Sequence, residues 1–285
     1  MTHISITTED GQDICATYFK PEKPTNKTVV IAGGVGLPQR FFFKFASWLA
    51  TKGCDAYTFD YRGIALSKDK ELTEFHAGYF EWTNYDFKGI TSHIKSVHPE
   101  NNNYLIGHSF GGNSLGMSTA YKCYDKFLFV GSQFGYYRNF PWYMQISILL
   151  GFGLFVGFIT PLYGYFPSKL VGLGEPLPKQ VAYDWRTLLL HKNSVLALAK
   201  DHNYYSEITQ PTLMISIDDD NFAPKKAVDT LAEHVFVNAK VKRKHLEVKK
   251  LGIKKLGHNN FFRKKHEHLL WPIVSNWFQI NTTTT

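Results

Sequence analysis

Cysteine is scarce in this chain and structured chemistry built on it is absent. The 285 residues hold three cysteines, Cys15, Cys54 and Cys123, an odd number with no Cys-x-x-Cys pair and no metal-ligand spacing. That excludes a disulfide framework and a zinc ribbon, and implies reduced, mostly buried thiols of a cytoplasmic protein. A basic segment followed by an apolar one is missing at the N-terminus, so no signal peptide is expected. Internal repeats, low-complexity core segments and a Gly-x-x-x-x-Gly-Lys phosphate loop are missing too. Gly33, Gly34 and Gly36 follow a strand-like run, but Pro38 and Gln39 stand where a dinucleotide-binding Gly-x-Gly-x-x-Gly loop needs its last glycine. No metal and no organic cofactor is implied.

Acidic residues fall short of basic ones by eight. Such an excess suits an anionic membrane surface or nucleic acid. Much of it lies between Lys240 and Lys265, however, so a solvated basic face is the simpler reading and no nucleic-acid partner is expected. The length and an apolar share of 44% fit one large α/β domain with an insertion, or two small domains.

The run Tyr104-Leu105-Ile106-Gly107-His108-Ser109-Phe110-Gly111-Gly112 organises the rest. A short apolar stretch enters a Gly-x-Ser-x-Gly signature, and a helix-compatible segment follows from Asn113 to Tyr121. A nucleophile at a sharp strand-to-helix turn needs neighbours without a Cβ, which makes Ser109 the candidate nucleophile.

Around this turn the chain reads as alternating strands and helices. Residues 3–7 and 13–19 predict an N-terminal β-hairpin about Glu9-Asp10-Gly11. Lys27 to Ala32 predicts a buried strand, Arg40 to Lys52 a helix, Ala56 to Asp60 a second buried strand and residues 84–97 an amphipathic helix. Phe127 to Gly131 and Pro211 to Ile217 predict further strands, followed by helices at about Pro224 to Asn238 and Lys265 to Phe278. The order implies an α/β fold with a mostly parallel central sheet flanked by helices and right-handed crossovers. Thr282 to Thr285 is expected to fray.

A serine hydroxyl needs a base to take its proton and a third group to orient that base. Asp218-Asp219-Asp220 follows a late buried strand, and Asp220 is the first choice for the acid with Asp219 the second. Among twelve histidines, His258 stands out because Gly257 precedes it and a polar loop follows; His234, His245, His266 and His268 read as solvated, and His108 as packing beside the serine. Oxyanion donors are expected from the backbone N–H of Phe110 and from Leu37 or Val35 in the glycine loop.

The glycine loop, Asp60-Tyr61-Arg62-Gly63, the Ser109 turn, Asp220 and Gly257-His258, in that order, resemble the α/β-hydrolase fold superfamily across nearly the whole chain. Pro38-Gln39-Arg40-Phe41-Phe42, Gly164-Tyr165-Phe166-Pro167, Gly172 to Pro178 and Phe261-Phe262-Arg263 resemble a mainly bacterial subfamily of predicted serine hydrolases. The resemblance implies serine hydrolase chemistry with the triad carried onto Ser109, Asp220 and His258. Ala65 departs from the second glycine that many relatives carry in Arg-Gly-x-Gly-x-Ser, and Gly33 from a histidine before the oxyanion glycine.

Residues 1–135 and 199–285 are expected to form the core and 136–198 an inserted apolar cap. The longest apolar run, Ile146 to Thr160, falls short of the roughly 18–20 residues of a membrane span, and Pro161 interrupts it. In an α/β-hydrolase an insertion at this point is where a lid sits. A helical cap over Ser109 is therefore the leading reading, beside a buried core helix and a peripheral membrane contact. A greasy lid predicts a small apolar or acyl substrate, held as an ester, thioester or peptide bond. A non-catalytic small-ligand-binding protein of the same fold is the reading from another class.

Overall fold

The computed structural model describes residues 1–280; the fraying expected of Thr282 to Thr285 falls outside them. Strands β1 (Thr2–Thr7) and β2 (Asp13–Phe19) form the predicted hairpin. Strand β3 (Lys27–Ala32), helix α1 (Phe43–Thr51), strand β4 (Cys54–Phe59), helix α2 (Lys88–Val97) and strand β5 (Asn102–His108) follow. After β5 come the short helix α3 (Phe110–Asn113) and strand β6 (Lys126–Val130).

An insertion then leaves the sheet. It holds helix α4 (Trp142–Tyr163), a two-residue ladder of β7 (Tyr165–Phe166) with β8 (Leu177–Pro178), helix α5 (Lys179–Leu190) and helix α6 (Val195–Ala199). Strand β9 (Pro211–Ile217), helix α7 (Lys225–His234), strand β10 (Lys240–Leu246) and helix α8 (Glu267–Phe278) complete the chain. The eight long strands make one sheet in the order β1-β2-β4-β3-β5-β6-β9-β10. Pairing is antiparallel in β1–β2 and β2–β4 and parallel from β4 to β10.

Both faces of this sheet are covered, which is why its central strands read as unbroken apolar runs. Val29, Ile31, Ile106, Leu128 and Val130 point to one side, against Phe45 and Leu49 of α1 and Trp271 and Val274 of α8. Val30, Leu105, Phe127 and Phe129 point to the other, against a cluster that includes Ile90 and Ile94 of α2 and Val228 and Leu231 of α7. Each such large side chain, fully buried, contributes about 1.5–3 kcal/mol. β3 and β5 sit at the centre, with β6 on the other side of β5, so the turn after β5 is anchored on both sides.

Three expectations change. The helix expected over Asn113–Tyr121 is replaced by the four residues of α3 and two tight turns, Leu115–Met117 and Thr119–Cys123. The reason is tertiary: Tyr205 donates its hydroxyl to the Asn113 carbonyl at 2.5 Å, and the Tyr204 N–H takes the Gly116 carbonyl at 2.8 Å, so the acceptors a longer helix would use are engaged. Pro161 does not interrupt the apolar segment. It lies in the last turn of a continuous 22-residue helix that ends at Gly164, φ 75°, and its missing N–H costs that helix one bond. Of the thiols, Cys54 is buried, whereas Cys15 and Cys123 are half-buried.

The basic stretch is partly explained by β10. It is the outer strand of the sheet, and Lys240, Lys242 and Lys244 alternate outward along it, a charge pattern that discourages edge-to-edge pairing.

Candidate active site

Ser109 sits between the last residue of β5 and the first of α3 with φ 52° and ψ −114°. A non-glycine residue there carries about 1–3 kcal/mol of strain, held by the sheet on one side and the helix on the other. The neighbouring glycines are steric necessities. A Cβ on Gly111 would run into the Ala32 carbonyl of β3, and one on Gly107 would lie 2.5 Å from the Gly112 Cα.

The three adjacent aspartates divide their work. Asp220, on the turn after β9, accepts from His258 Nδ1 at 2.8 Å. Its side chain is buried, and its other oxygen accepts from the N–H groups of Phe222 and Ala223 at 2.9 and 3.0 Å. Burial pushes this carboxyl upward, but His258 and the two backbone donors outweigh it and hold it below the ordinary carboxylate value. Asp219 does not meet the ring. It accepts from the N–H groups of Leu256 and Gly257 at 2.8 and 2.7 Å, pinning the backbone just before His258. Asp218 accepts from the Val248 N–H at 3.1 Å.

With Nδ1 donating to a carboxylate, neutral His258 has Nε2 as its free acceptor nitrogen. Ser109 and His258 line one cavity of about 320 Å³. Close approach between elements requires Gly131, φ 64°: a Cβ there would stand 3.0 Å from the imidazole of His258.

The expected oxyanion donors differ in availability. Phe110 N–H and Val35 N–H have no acceptor among the described residues, and both residues line the cavity with Ser109. Leu37 does not fit the role, because its N–H donates to the Gly34 carbonyl at 3.2 Å and closes the glycine loop. Phe110 is held by a buried aromatic cluster: its ring lies 4.4 Å from that of Tyr79 and 5.4 Å from those of Tyr61 and Trp82.

His108 is buried between the rings of Phe42, Phe262 and His258. Its Nε2 bonds the main-chain carbonyl of His258 at 3.1 Å; a carbonyl only accepts, so Nε2 carries the proton. Burial, reinforced by nearby His258, pushes this imidazole down to about 3. It is a neutral positioning group.

Gln39 has a structural role beyond its place in the motif after the glycine loop. This buried side chain donates Nε2 to Asp60 Oδ2 at 3.0 Å and to the Cys15 carbonyl at 2.9 Å, while Oε1 accepts from Thr58 Oγ1 at 2.9 Å. Its backbone N–H meets Asp60 Oδ1 at 2.7 Å. The exit of the glycine loop is thereby tied to the end of β4. The available signal was a polar residue directly after Pro38 and ahead of an aromatic run. Ala65, noted for replacing glycine, adopts φ 41°, a left-handed conformation that glycine enters without strain.

No lining residue of the cavity is Asp, Glu, Lys or Arg. Met144, Ile148 and Phe152 of α4, with Trp185, Leu188 and Leu189 around α5, roof it with apolar surface.

The sequence profile of the family described as Serine aminopeptidase, S33 matches residues 23–151, which holds the glycine loop and Ser109. No curated protein matches the chain. Among solved structures, DcsB in complex with its substrate analogue is similar over 99% of both chains, at 15% identity and a TM-score of 0.64. The Pyrococcus furiosus esterase Pf2001 is similar over 98% of this chain and 89% of its own, at 17% identity and a TM-score of 0.60. A monoacylglycerol lipase from Paleococcus ferrophilus is similar over 94% of this chain and 99% of its own, at 17% identity and a TM-score of 0.60. At these identities the likeness establishes a shared fold.

Proposed function

We propose that this chain, an α/β-hydrolase by fold, is a serine hydrolase that cleaves an ester-type bond of a small apolar or acyl substrate. The observation that carries the reading is the pairing of a strained Ser109 turn with a His258–Asp220 bond of 2.8 Å beside one cavity. In this mechanism Ser109 Oγ attacks the substrate carbonyl carbon and gives its proton to His258 Nε2. Asp220 holds the imidazolium through Nδ1–H, and the N–H groups of Phe110 and Val35 receive the charge on the carbonyl oxygen. Collapse of the tetrahedral species expels the alcohol, which takes the proton from His258 and leaves an acyl-Ser109. Water then repeats the attack, with His258 as base, and releases the acid.

Residues 136–198 act as the cap in this reading, and its apolar lining selects the acyl part. A peptidase or thioesterase would use the same triad. The matched family's description favours the peptidase, yet an aminopeptidase must neutralise the substrate's α-ammonium, and the cavity offers no carboxylate for it. A neutral acyl substrate suits the lining better.

A series of p-nitrophenyl acyl esters from short to long, run beside an acyl thioester and an aminoacyl arylamide, tests this. The value of kcat/KM should rise with acyl length, and the arylamide should be cut at least about 100-fold more slowly. Preference for the arylamide would transfer the assignment to the peptidase. A folded protein inert toward the whole panel would point to the non-catalytic binding protein.

A further inference from the structure

Helix α4 has two faces with different fates. Inward, Met144, Ser147, Ile148 and Phe152 line the cavity beside Ser109. Outward, every fourth residue is a large apolar side chain more than half exposed: Trp142, Ile146, Leu150, Leu154, Phe158 and Leu162. The helix is 22 residues long, its most apolar 18-residue window has mean hydropathy 2.0, and only 22% of that window is buried. That overturns the buried-core-helix reading. An exposed apolar stripe of this length marks a surface that something covers.

Three observations select what covers it. The first is charge. Between Lys126 and Glu175 the chain has no acidic residue, and its only charges there are Arg138 and Lys169. Both are exposed, one ahead of the start of α4 and the other beyond its end, and Lys226 joins Arg138 by donating Nζ to its carbonyl at 3.2 Å. The second is the position of the aromatics: Trp142 and Tyr143 begin the helix and Tyr163 ends it, as amphipathic rings do at a lipid–water boundary. The third is orientation. Arg186 of α5 donates Nε to the Phe152 carbonyl at 2.9 Å and Nη2 to the Gly153 carbonyl at 3.3 Å. These bonds hold the middle of α4, the wider π-helical stretch Leu149–Phe155, along the body of the protein, so the helix presents a side and cannot be threaded through a bilayer.

We infer that the outer face of α4 is a docking surface for an anionic lipid membrane, with the helix lying in the plane of the interface and Arg138 and Lys169 on the headgroups. An amphipathic helix of this kind buries its apolar face about 5–10 Å into the headgroup–acyl boundary. A second copy of the chain is the less suitable occupant: pairing two identical faces brings Arg138 no carboxylate, and Lys169 already has one within the chain in Glu175 at 3.1 Å. Docking is independent of catalysis. Its consequence for substrate supply, an acyl chain passing from the bilayer along α4 to Ser109, rests on the hydrolase reading.

Flotation of the full-length protein with phosphatidylcholine vesicles, and with a phosphatidylcholine–phosphatidylglycerol mixture, tests the inference. Wild type is expected to float with the mixture and less with phosphatidylcholine alone. The variant Leu154→Gln/Phe158→Gln/Leu162→Gln should partition at least about 100-fold more weakly while keeping the wild-type circular dichroism and thermal midpoint. Arg138→Glu/Lys169→Glu should abolish the preference for the anionic mixture, and Ser109→Ala should float as wild type does, which separates docking from activity. Wild type remaining at the bottom of both gradients would overturn the inference. So would a stable wild-type dimer in analytical ultracentrifugation that the triple variant converts to monomer, which would assign the face to a second copy.

Discussion

His108 Nε2 donates to the main-chain carbonyl of His258 at 3.1 Å, so the residue before the candidate nucleophile holds the loop that carries the candidate base. One of the two histidines positions and the other is placed to react. Burial makes the difference: His108 is closed off and its imidazole is pushed down to about 3.

A stability–pH profile should register that burial. Between the ordinary histidine value of 6.5 and about 3, the unfolded chain binds a proton at His108 that the folded chain refuses. Folding stability therefore rises with pH in this window and is lost as pH falls, by at most about 1.4 kcal/mol per unit from this group. Asp220, held below the ordinary carboxylate value, adds loss in the same direction at still lower pH. His108→Gln keeps a donor for the His258 carbonyl and cannot titrate. Denaturant unfolding between about pH 6 and 4 should show a shallower slope for this variant, smaller by close to one proton.

The division among the aspartates separates two effects on activity. Asp220→Asn leaves His258 without its carboxylate partner and should lower kcat by about 10³–10⁴. Asp219→Asn weakens the bonds to the Leu256 and Gly257 N–H groups and should cost about 1–3 kcal/mol of stability with a far smaller effect on kcat. Ester turnover and thermal unfolding on both variants distinguish these roles.

Strain at the turn has a thermodynamic signature. Ser109→Gly relieves a φ of 52° and should raise unfolding free energy by about 1 kcal/mol after the extra entropy of the unfolded glycine is subtracted, while abolishing activity. Denaturant titration against wild type measures it.

Much of this was legible from the residues. Glycines 107 and 111 around Ser109, an apolar strand ahead of Asp220 and a glycine ahead of His258 are local signals, and each sits where the sheet delivers it. Long-range side-chain bonding left no such mark. Nothing in Asp218-Asp219-Asp220 reveals that adjacent carboxylates serve a ring, a loop and the turn after β10. Gln39 becomes interpretable only when Asp60, Thr58 and Cys15 are brought around it. The truncation of α3 depends on Tyr205, 92 residues beyond Asn113. Pro161 misled because the helix carries it and ends only at Gly164, at the cost of the one bond its missing N–H would make.

Activation of Ser109 as a nucleophile is read out by intact-protein mass spectrometry after treatment with a fluorophosphonate. Wild type should gain the mass of one phosphonyl group, with peptide mapping placing it on Ser109, and folded Ser109→Ala should gain none. A folded wild type that stays unmodified, or one modified equally in the Ser109→Ala variant, would contradict the account.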